Sequence, residues 1–124
     1  MKTLIIDNSD IFRSGLKLFL QDIKELNFVG DYRHSGSLNN IENENVDLIL
    51  IDVTDKYEIN EYLIEKIRKL FPKAFIISFS NFLNLKTQFQ YQLKGIDYYF
   101  NKEYEFYKLK SFLKNLINKN YYRR

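Results

Sequence analysis

Hydrophobic residues in this chain form short unbroken runs, separated by stretches in which they recur every three or four positions. A short unbroken run is typical of a strand buried on both faces, because neither face needs polar side chains. Such runs predict five strands, at 3–6, 27–32, 46–52, 74–80 and 97–100.

The stretches between the runs have the spacing of amphipathic helices. Ser9 is a candidate N-cap for the first helix, whose apolar positions extend from Phe12 to Ile23. Further helical patterns occupy 59–70, 82–93 (Phe82, Leu85, Phe89 and Leu93) and 106–116, and a weaker pattern occupies 37–42. Pro72 is expected to stop the helix before it, and Gly95 is expected to provide a left-handed cap.

Strands that alternate with helices predict βαβ units and a parallel sheet covered by helices on both faces. No linker, repeat or low-complexity segment interrupts the alternation, so we expect one α/β domain over residues 1–124. Ligands of open parallel sheets bind beyond the carboxyl ends of the strands. The residues that end the predicted strands are therefore the first candidates for a functional site.

Composition narrows the possible chemistry. The chain has 124 residues, of which 45% are hydrophobic and 28% charged, as in an ordinary globular domain. It has no cysteine, which excludes disulfides and Cys-ligated metals, and the single histidine, His34, excludes His-rich metal sites and most Ser-His-Asp schemes. No apolar run approaches the roughly 20 residues that cross a bilayer, and no signal-peptide pattern is present. We therefore expect a cytoplasmic protein with no membrane partner.

The net charge of +3 is unevenly distributed along the chain. Residues 100–124 contain seven Lys or Arg and two Glu, so the rest of the chain is slightly acidic. Basic charge confined to one segment is weak support for nucleic-acid binding, although residues 118–124 mix bases with aromatics as single-strand binders do. We interpret that tail as a helix end or the start of a linker, and we do not expect direct nucleic-acid binding.

Polar side chains follow four of the predicted strands. They are Asp7 and Asn8 after the first strand, Asp52 after the third, Ser80 after the fourth and Lys102 after the fifth. This set suits Mg²⁺-assisted transfer of a phosphoryl group to a carboxylate, because Mg²⁺ takes oxygen ligands and a carboxylate can act as the nucleophile. An ammonium and a hydroxyl group can then hold the added phosphoryl oxygens.

In these residues the sequence resembles the receiver domains of bacterial response regulators, over the whole chain. The resemblance rests on residues 4–16, 47–52, 79–80 and 95–102, which match the family's motifs in order and at ordinary spacings. The Phe12-Arg13-x-Gly15-Leu16 stretch is similar to receivers attached to LuxR-type DNA-binding domains. The resemblance implies a flavodoxin-like or CheY-like (βα)5 fold with strand order 2-1-3-4-5.

The resemblance also implies a role for each residue. Asp52 would be the phosphoacceptor, and Mg²⁺ would be bound by Asp7, Asn8, Asp52 and the backbone carbonyl of Thr54. Ser80 would contact the phosphoryl group together with Lys102, and Tyr99 would be the aromatic switch. Ser78 competes with Ser80 for the hydroxyl role, but the spacing to Gly95 and Lys102 favours Ser80.

Several positions depart from the family's pattern. Asn8 replaces the acid that usually contacts the metal, so we expect Mg²⁺ to bind more weakly. Lys56 and Glu103 stand where prolines are common, and Asn60 replaces a common glycine. These changes make the chain an atypical receiver.

The leading hypothesis is a signalling receiver that accepts a phosphoryl group from a histidine kinase or phosphotransfer protein and is otherwise not an enzyme. Phosphorylation would change the face formed by the 82–93 helix, the fifth strand and the last helix, which would act on an output protein or on a DNA-binding domain outside this sequence. A homodimer through the last helix stays open. The alternative is a phosphorylation-independent interaction module on the same scaffold.

Overall fold

The computed structural model describes residues 1–33, 45–54, 61–81 and 84–119. A five-stranded parallel sheet with the order β2-β1-β3-β4-β5 forms its centre, which confirms the predicted fold class and strand order. The strands are β1 (Lys2–Ile6), β2 (Asn27–Tyr32), β3 (Leu48–Asp52), β4 (Phe75–Ser80) and β5 (Tyr98–Asn101).

Four helices lie within the described ranges, of which three connect strands and the fourth follows β5. They are α1 (Asp10–Phe19), α2 (Glu61–Leu70), α3 (Leu85–Lys94) and α4 (Leu109–Asn118), and a 3-10 turn (Phe106–Lys108) precedes α4. The weak helical pattern at 37–42 lies outside the described residues, as do His34, Lys56, Asn60, Phe82 and residues 120–124. Among the helices described, none is long and apolar enough to cross a membrane.

The sheet separates two hydrophobic layers. One layer packs α1 and α4 against alternate side chains of the strands, and the other packs α2 and α3 against the opposite face. The central strand β3 is buried on both faces from Leu48 to Ile51, which explains why its sequence is an unbroken apolar run.

The expected helix ends are present. The Ser9 hydroxyl oxygen accepts a hydrogen bond from the Phe12 backbone N–H at 3.1 Å and so caps α1. Helix α2 ends two residues before Pro72. Gly95 follows α3 with a φ of 132°, which disfavours any residue with a side chain.

The guanidinium group of Arg68 forms hydrogen bonds with the ends of several elements, away from the carboxyl ends of the strands. It donates hydrogen bonds to the carbonyls of Ala74 (2.6 Å) and Gly95 (2.7 Å) and to the Asp97 carboxylate (2.7 Å). A Cβ atom on Gly95 would lie 2.8 Å from the Arg68 Cβ. The φ angle and this close approach therefore both require glycine.

Helix α3 is confirmed, but the apolar residues that predict it are not in the core. Leu85, Phe89 and Leu93 are 81%, 61% and 70% exposed. Tyr91 is the residue of α3 that is buried against the sheet. Periodicity reveals helical spacing, but it does not reveal which side of the helix the sheet covers.

The contrast between α4 and α3 predicts different costs for the same substitution. Leu113→Ala in α4 removes a fully buried side chain, so we expect it to lower the free energy of unfolding by about 2–5 kcal/mol. Leu93→Ala in α3 removes an exposed one, and we expect a change within about 0.5 kcal/mol. Urea denaturation measures both, and a large loss in Leu93→Ala would contradict the packing described.

Candidate functional site

The carboxyl ends of the strands bring three charged side chains into direct contact. The Lys102 ammonium lies 2.5 Å from an Asp52 carboxylate oxygen and 2.8 Å from an Asp7 carboxylate oxygen. Lys102 directly follows β5, and its backbone N–H donates a hydrogen bond to the Ser80 carbonyl at 2.9 Å. The parallel sheet thus places these four predicted site residues at one edge.

Each carboxylate is held by two independent partners. The second oxygen of Asp7 accepts a hydrogen bond from the Ser9 backbone N–H at 2.7 Å, and that of Asp52 accepts one from the Thr54 backbone N–H at 2.6 Å. Both are local turns in which an Asp side chain accepts from the backbone two residues later. The strand-ending aspartates therefore fix their own orientation, while Lys102 links them.

The three side chains are largely withdrawn from water. Asp7 is 3% exposed, Asp52 is 15% exposed and Lys102 is 16% exposed. Buried charges are tolerated only when they are paired and hydrogen-bonded. One ammonium between two carboxylates meets that condition and leaves the cluster with a formal charge of −1.

The pKa shifts of the three groups follow from this arrangement. Burial raises the pKa of Asp7, and the hydrogen bonds from Lys102 and Ser9 offset this only in part. Burial also pushes the pKa of Asp52 upward, but hydrogen bonds from Lys102 and Thr54 outweigh it and the pKa is lowered. Burial opposes the charged form of Lys102, yet the hydrogen bonds to Asp52 and Asp7 raise its pKa. At neutral pH Asp52 is therefore an anionic carboxylate, the form that can act as a nucleophile.

The Ser80 hydroxyl is the unusual group of the site. It is fully buried and has no hydrogen-bond partner among the residues that the structure describes. An unpaired buried hydroxyl costs free energy, so such a group suggests a ligand that would complete it. Ser78 is also buried, but Ser80 ends β4 at the site edge and Ser78 lies two residues deeper in the strand.

Tyr99 is connected to the same strand end. Its phenol O–H donates a hydrogen bond to the Ser80 backbone carbonyl at 3.3 Å, and its side chain is half-buried. The Ser80 carbonyl therefore accepts hydrogen bonds from both the Lys102 backbone N–H and the Tyr99 phenol. A displacement of Ser80 would disturb both contacts.

The residues assigned to Mg²⁺ offer only oxygen atoms. Asp7 and Asp52 provide carboxylates, Asn8 an amide oxygen on an exposed residue, and Thr54 a backbone carbonyl. Within the described ranges no group of three or more His, Cys, Asp or Glu side chains could hold a metal. Mg²⁺ commonly uses only one or two carboxylates with water and phosphate oxygens, so the set fits the ion.

Two residues of α1 contact the site although the sequence analysis assigned no individual role to either. The buried guanidinium of Arg13 donates a hydrogen bond to the Asp7 backbone carbonyl at 2.5 Å and forms an ion pair with Asp10. The Phe12 ring lies against the Lys102 ammonium, with 3.8 Å between Nζ and the ring centroid. One feature of the sequence could have identified Arg13. It is an arginine on the apolar side of a helix, three residues before the core residue Leu16.

The fold and the site together define a doubly wound α/β domain with a carboxylate–lysine cluster at its strand ends. The sequence matches no protein-family model and no curated protein. Solved structures do match. The isolated REC domain of RcsB from Salmonella enterica serovar Typhimurium, in the presence of the phosphomimetic BeF3⁻, is 24% identical with a TM-score of 0.82, and the match covers 95% of this chain and 88% of that one.

Two further structures agree. A response regulator receiver domain protein (CheY-like) from Methanospirillum hungatei JF-1 is 24% identical with a TM-score of 0.77, covering 95% of this chain and 94% of that one. RcsB from the same Salmonella serovar, bound to promoter rprA with BeF3⁻, is 25% identical with a TM-score of 0.80, covering 94% and 67%. The chain therefore has the receiver-domain fold of response regulators, as the sequence resemblance predicted.

Replacing Lys102 should change the pKa of the Asp52 carboxyl group. In Lys102→Met we expect the pKa of Asp52 to rise, because the carboxylate loses a hydrogen bond and a positive charge while the Asp7 carboxylate stays nearby. A pH titration of the Asp52 carboxyl ¹³C signal measures this. Lys108→Met is the control, since Lys108 is an exposed lysine that pairs with Glu105. An Asp52 pKa that stays low in Lys102→Met would contradict the role given to the ammonium.

Proposed function

We propose that this chain is a signalling receiver that accepts a phosphoryl group on Asp52. The proposal rests on one observation above the others, which is the contact of an anionic carboxylate with an ammonium at the strand-end edge where a buried hydroxyl has no partner among the described residues. Asp52 supplies the nucleophile, Lys102 lies 2.5 Å from it, and Ser80 has a hydroxyl with no partner among the described residues.

The donor is a phosphohistidine of a kinase or phosphotransfer protein. An Asp52 carboxylate oxygen forms the new P–O bond as the P–N bond of the phosphohistidine breaks, and the electron pair of that bond returns to the imidazole nitrogen. The Lys102 ammonium and the Ser80 hydroxyl donate to the phosphoryl oxygens and offset their charge. Mg²⁺, when bound by Asp7, Asn8, Asp52 and the Thr54 carbonyl, supplies further positive charge against those oxygens.

The same contacts provide a route for the signal. The added phosphoryl group carries a charge of about −1.5 to −2 and would draw the Ser80 hydroxyl toward it. The Tyr99 phenol donates a hydrogen bond to the Ser80 carbonyl at 3.3 Å, so this movement would release or reorient the Tyr99 side chain. Tyr99 lies beside α3, whose apolar residues Leu85, Phe89 and Leu93 are exposed and available to an output partner.

The output partner is a protein or a DNA-binding domain outside this sequence. One matched chain, RcsB, is described as bound to a promoter, and this chain spans 67% of it. The excess basic charge of the sequence is confined to residues 100–124, so we place any nucleic-acid contact in the partner.

The function is tested with BeF3⁻ and with acetyl phosphate in the presence of Mg²⁺. We expect amide NMR shifts that begin at Asp52 and reach Ser80 and Tyr99, and a mass increase of one phosphoryl group with acetyl phosphate. Asp52→Asn should abolish both responses, because the nucleophilic oxygen is lost. Asp22→Asn is the control, since Asp22 is a surface residue that pairs with Lys110. A folded wild type that gives neither response would overturn the proposal.

That negative outcome would select the second candidate, a phosphorylation-independent interaction module. The specific observation in its favour is the combination of Asn8 with a Lys102 ammonium that already pairs both carboxylates. In such a site the ammonium already partners both carboxylates, so pairing them does not itself require a metal or a phosphoryl group.

The amide at position 8 predicts a gain of metal affinity on restoring the acid. In Asn8→Asp we expect Mg²⁺ to bind roughly tenfold more tightly, because ligand charge is a main determinant of affinity for hard cations. Calorimetry or NMR titration with MgCl2 measures the change. Asn27→Asp, an exposed position at the start of β2, adds the same charge away from the site and should leave the affinity unchanged. Equal gains in both variants would show a nonspecific charge effect.

A further inference from the structure

Two lysines lie over two phenyl rings on the same side of α1. The Lys102 Nζ atom is 3.8 Å from the centroid of Phe12, and the Lys110 Nζ atom is 4.6 Å from the centroid of Phe19. Phe12 and Phe19 are seven residues apart, and the ring of Phe106 contacts both, at centroid distances of 5.6 and 5.0 Å. Only the Phe12 pair involves a residue of the strand-end site.

We propose that Phe12 is a positioning residue that holds the Lys102 ammonium in place for the phosphoryl group. The consequence for phosphoryl binding rests on the function proposed above, whereas the placement of the ammonium does not. The role assigned to Phe12 is exerted through Lys102, whose ammonium lies over its ring.

The surroundings of the ammonium favour an aromatic ring. A lysine ammonium has three N–H donors, and the carboxylates of Asp7 and Asp52 each accept a hydrogen bond from it. Phe12 covers another side, where the negative face of the ring attracts the cation. An aliphatic side chain in the same space would exclude water from the ammonium without replacing its attraction.

Two other aromatic rings pack against the ring of Phe12. Phe12 packs edge-on against Phe79, with centroids 6.2 Å apart and planes at 68°, and against Phe106 at 61°. Phe79 is fully buried on β4, so this side of the ring contacts the core. Phe12 is itself partly buried, and these aromatic neighbours restrict the ring that faces an otherwise flexible lysine side chain.

This arrangement predicts that Phe12 matters for ligand affinity and not only for packing. Phe12→Leu should weaken binding of BeF3⁻ with Mg²⁺ by about three- to thirty-fold, the range expected for a partly desolvated cation–π contact. Phe12→Tyr keeps the π face and should restore most of the affinity. Phe19→Leu is the matched control, because it removes a phenyl ring from the same cluster and a contact with Lys110, but leaves Lys102 untouched.

A second variant avoids dependence on the leucine substitution. Incorporation of 3,4,5-trifluorophenylalanine at position 12 keeps the shape of the ring while it withdraws the electron density of its face. We expect BeF3⁻ affinity to fall in this variant without loss of stability in urea. Unchanged affinity in a folded, fluorinated protein would overturn the proposal.

An apo measurement tests the placement of the ammonium independently of phosphoryl chemistry. Ring currents from Phe12 should shift the ε-CH2 protons of Lys102 upfield, and Phe12→Leu should abolish that shift while Phe19→Leu retains it. The ε protons of Lys110 should respond in the reverse manner, to Phe19→Leu alone. An unshifted Lys102 in the wild type would overturn the proposal.

The two measurements separate the possible failures. If Phe12→Leu and Phe19→Leu weaken BeF3⁻ binding equally, the effect is packing and Phe12 has no positioning role. If the wild type binds no BeF3⁻ at all, the proposed function fails, and the ring-current measurement alone decides whether Phe12 holds Lys102.

Discussion

The contact on which the strand-end site depends is the Lys102 ammonium shared by Asp7 and Asp52. A parallel sheet that ends two neighbouring strands in aspartate forces like charges together in a place from which most water is excluded. Two buried carboxylates repel one another and raise each other's pKa unless a cation lies between them. Lys102 lies 2.8 and 2.5 Å from the two groups, so its ammonium supplies the cation that this pair of carboxylates needs.

The sequence was enough to predict that the site residues lie at one edge of the sheet, because this follows from the topology of the strands. Unbroken apolar runs identified the strands, and parallel strands carry their carboxyl ends to one edge, so Asp7, Asp52, Ser80 and Lys102 had to be neighbours. The turns at Ser9 and Thr54 follow from the same local rule, since an aspartate that ends a strand accepts from the backbone two residues later.

Other features could not be predicted, because they depend on which side of an element is covered. The apolar residues that predict α3 recur at helical spacing, yet the sheet covers Tyr91 and leaves Phe89 exposed. The contact between Phe12 and Lys102 joins residues that are far apart in the chain, and only the tertiary packing of α1 brings them together. The unpaired Ser80 hydroxyl is a property of its surroundings and leaves no mark in the sequence.

The ammonium that pairs the two carboxylates would, under the proposed function, also govern how the site responds to a ligand. Asn8 removes one formal charge, so a cluster of two carboxylates and one lysine carries −1 where an acid at that position would make it −2. A dication entering this site would compete with Lys102 for both carboxylates and would meet less attraction than in a more acidic cluster. An incoming phosphoryl group changes that balance, because its oxygens offer Lys102 a third anionic partner and remain available to a metal. Under the proposed function, metal binding and phosphoryl binding would therefore strengthen one another, with Lys102 as the group whose partners are exchanged.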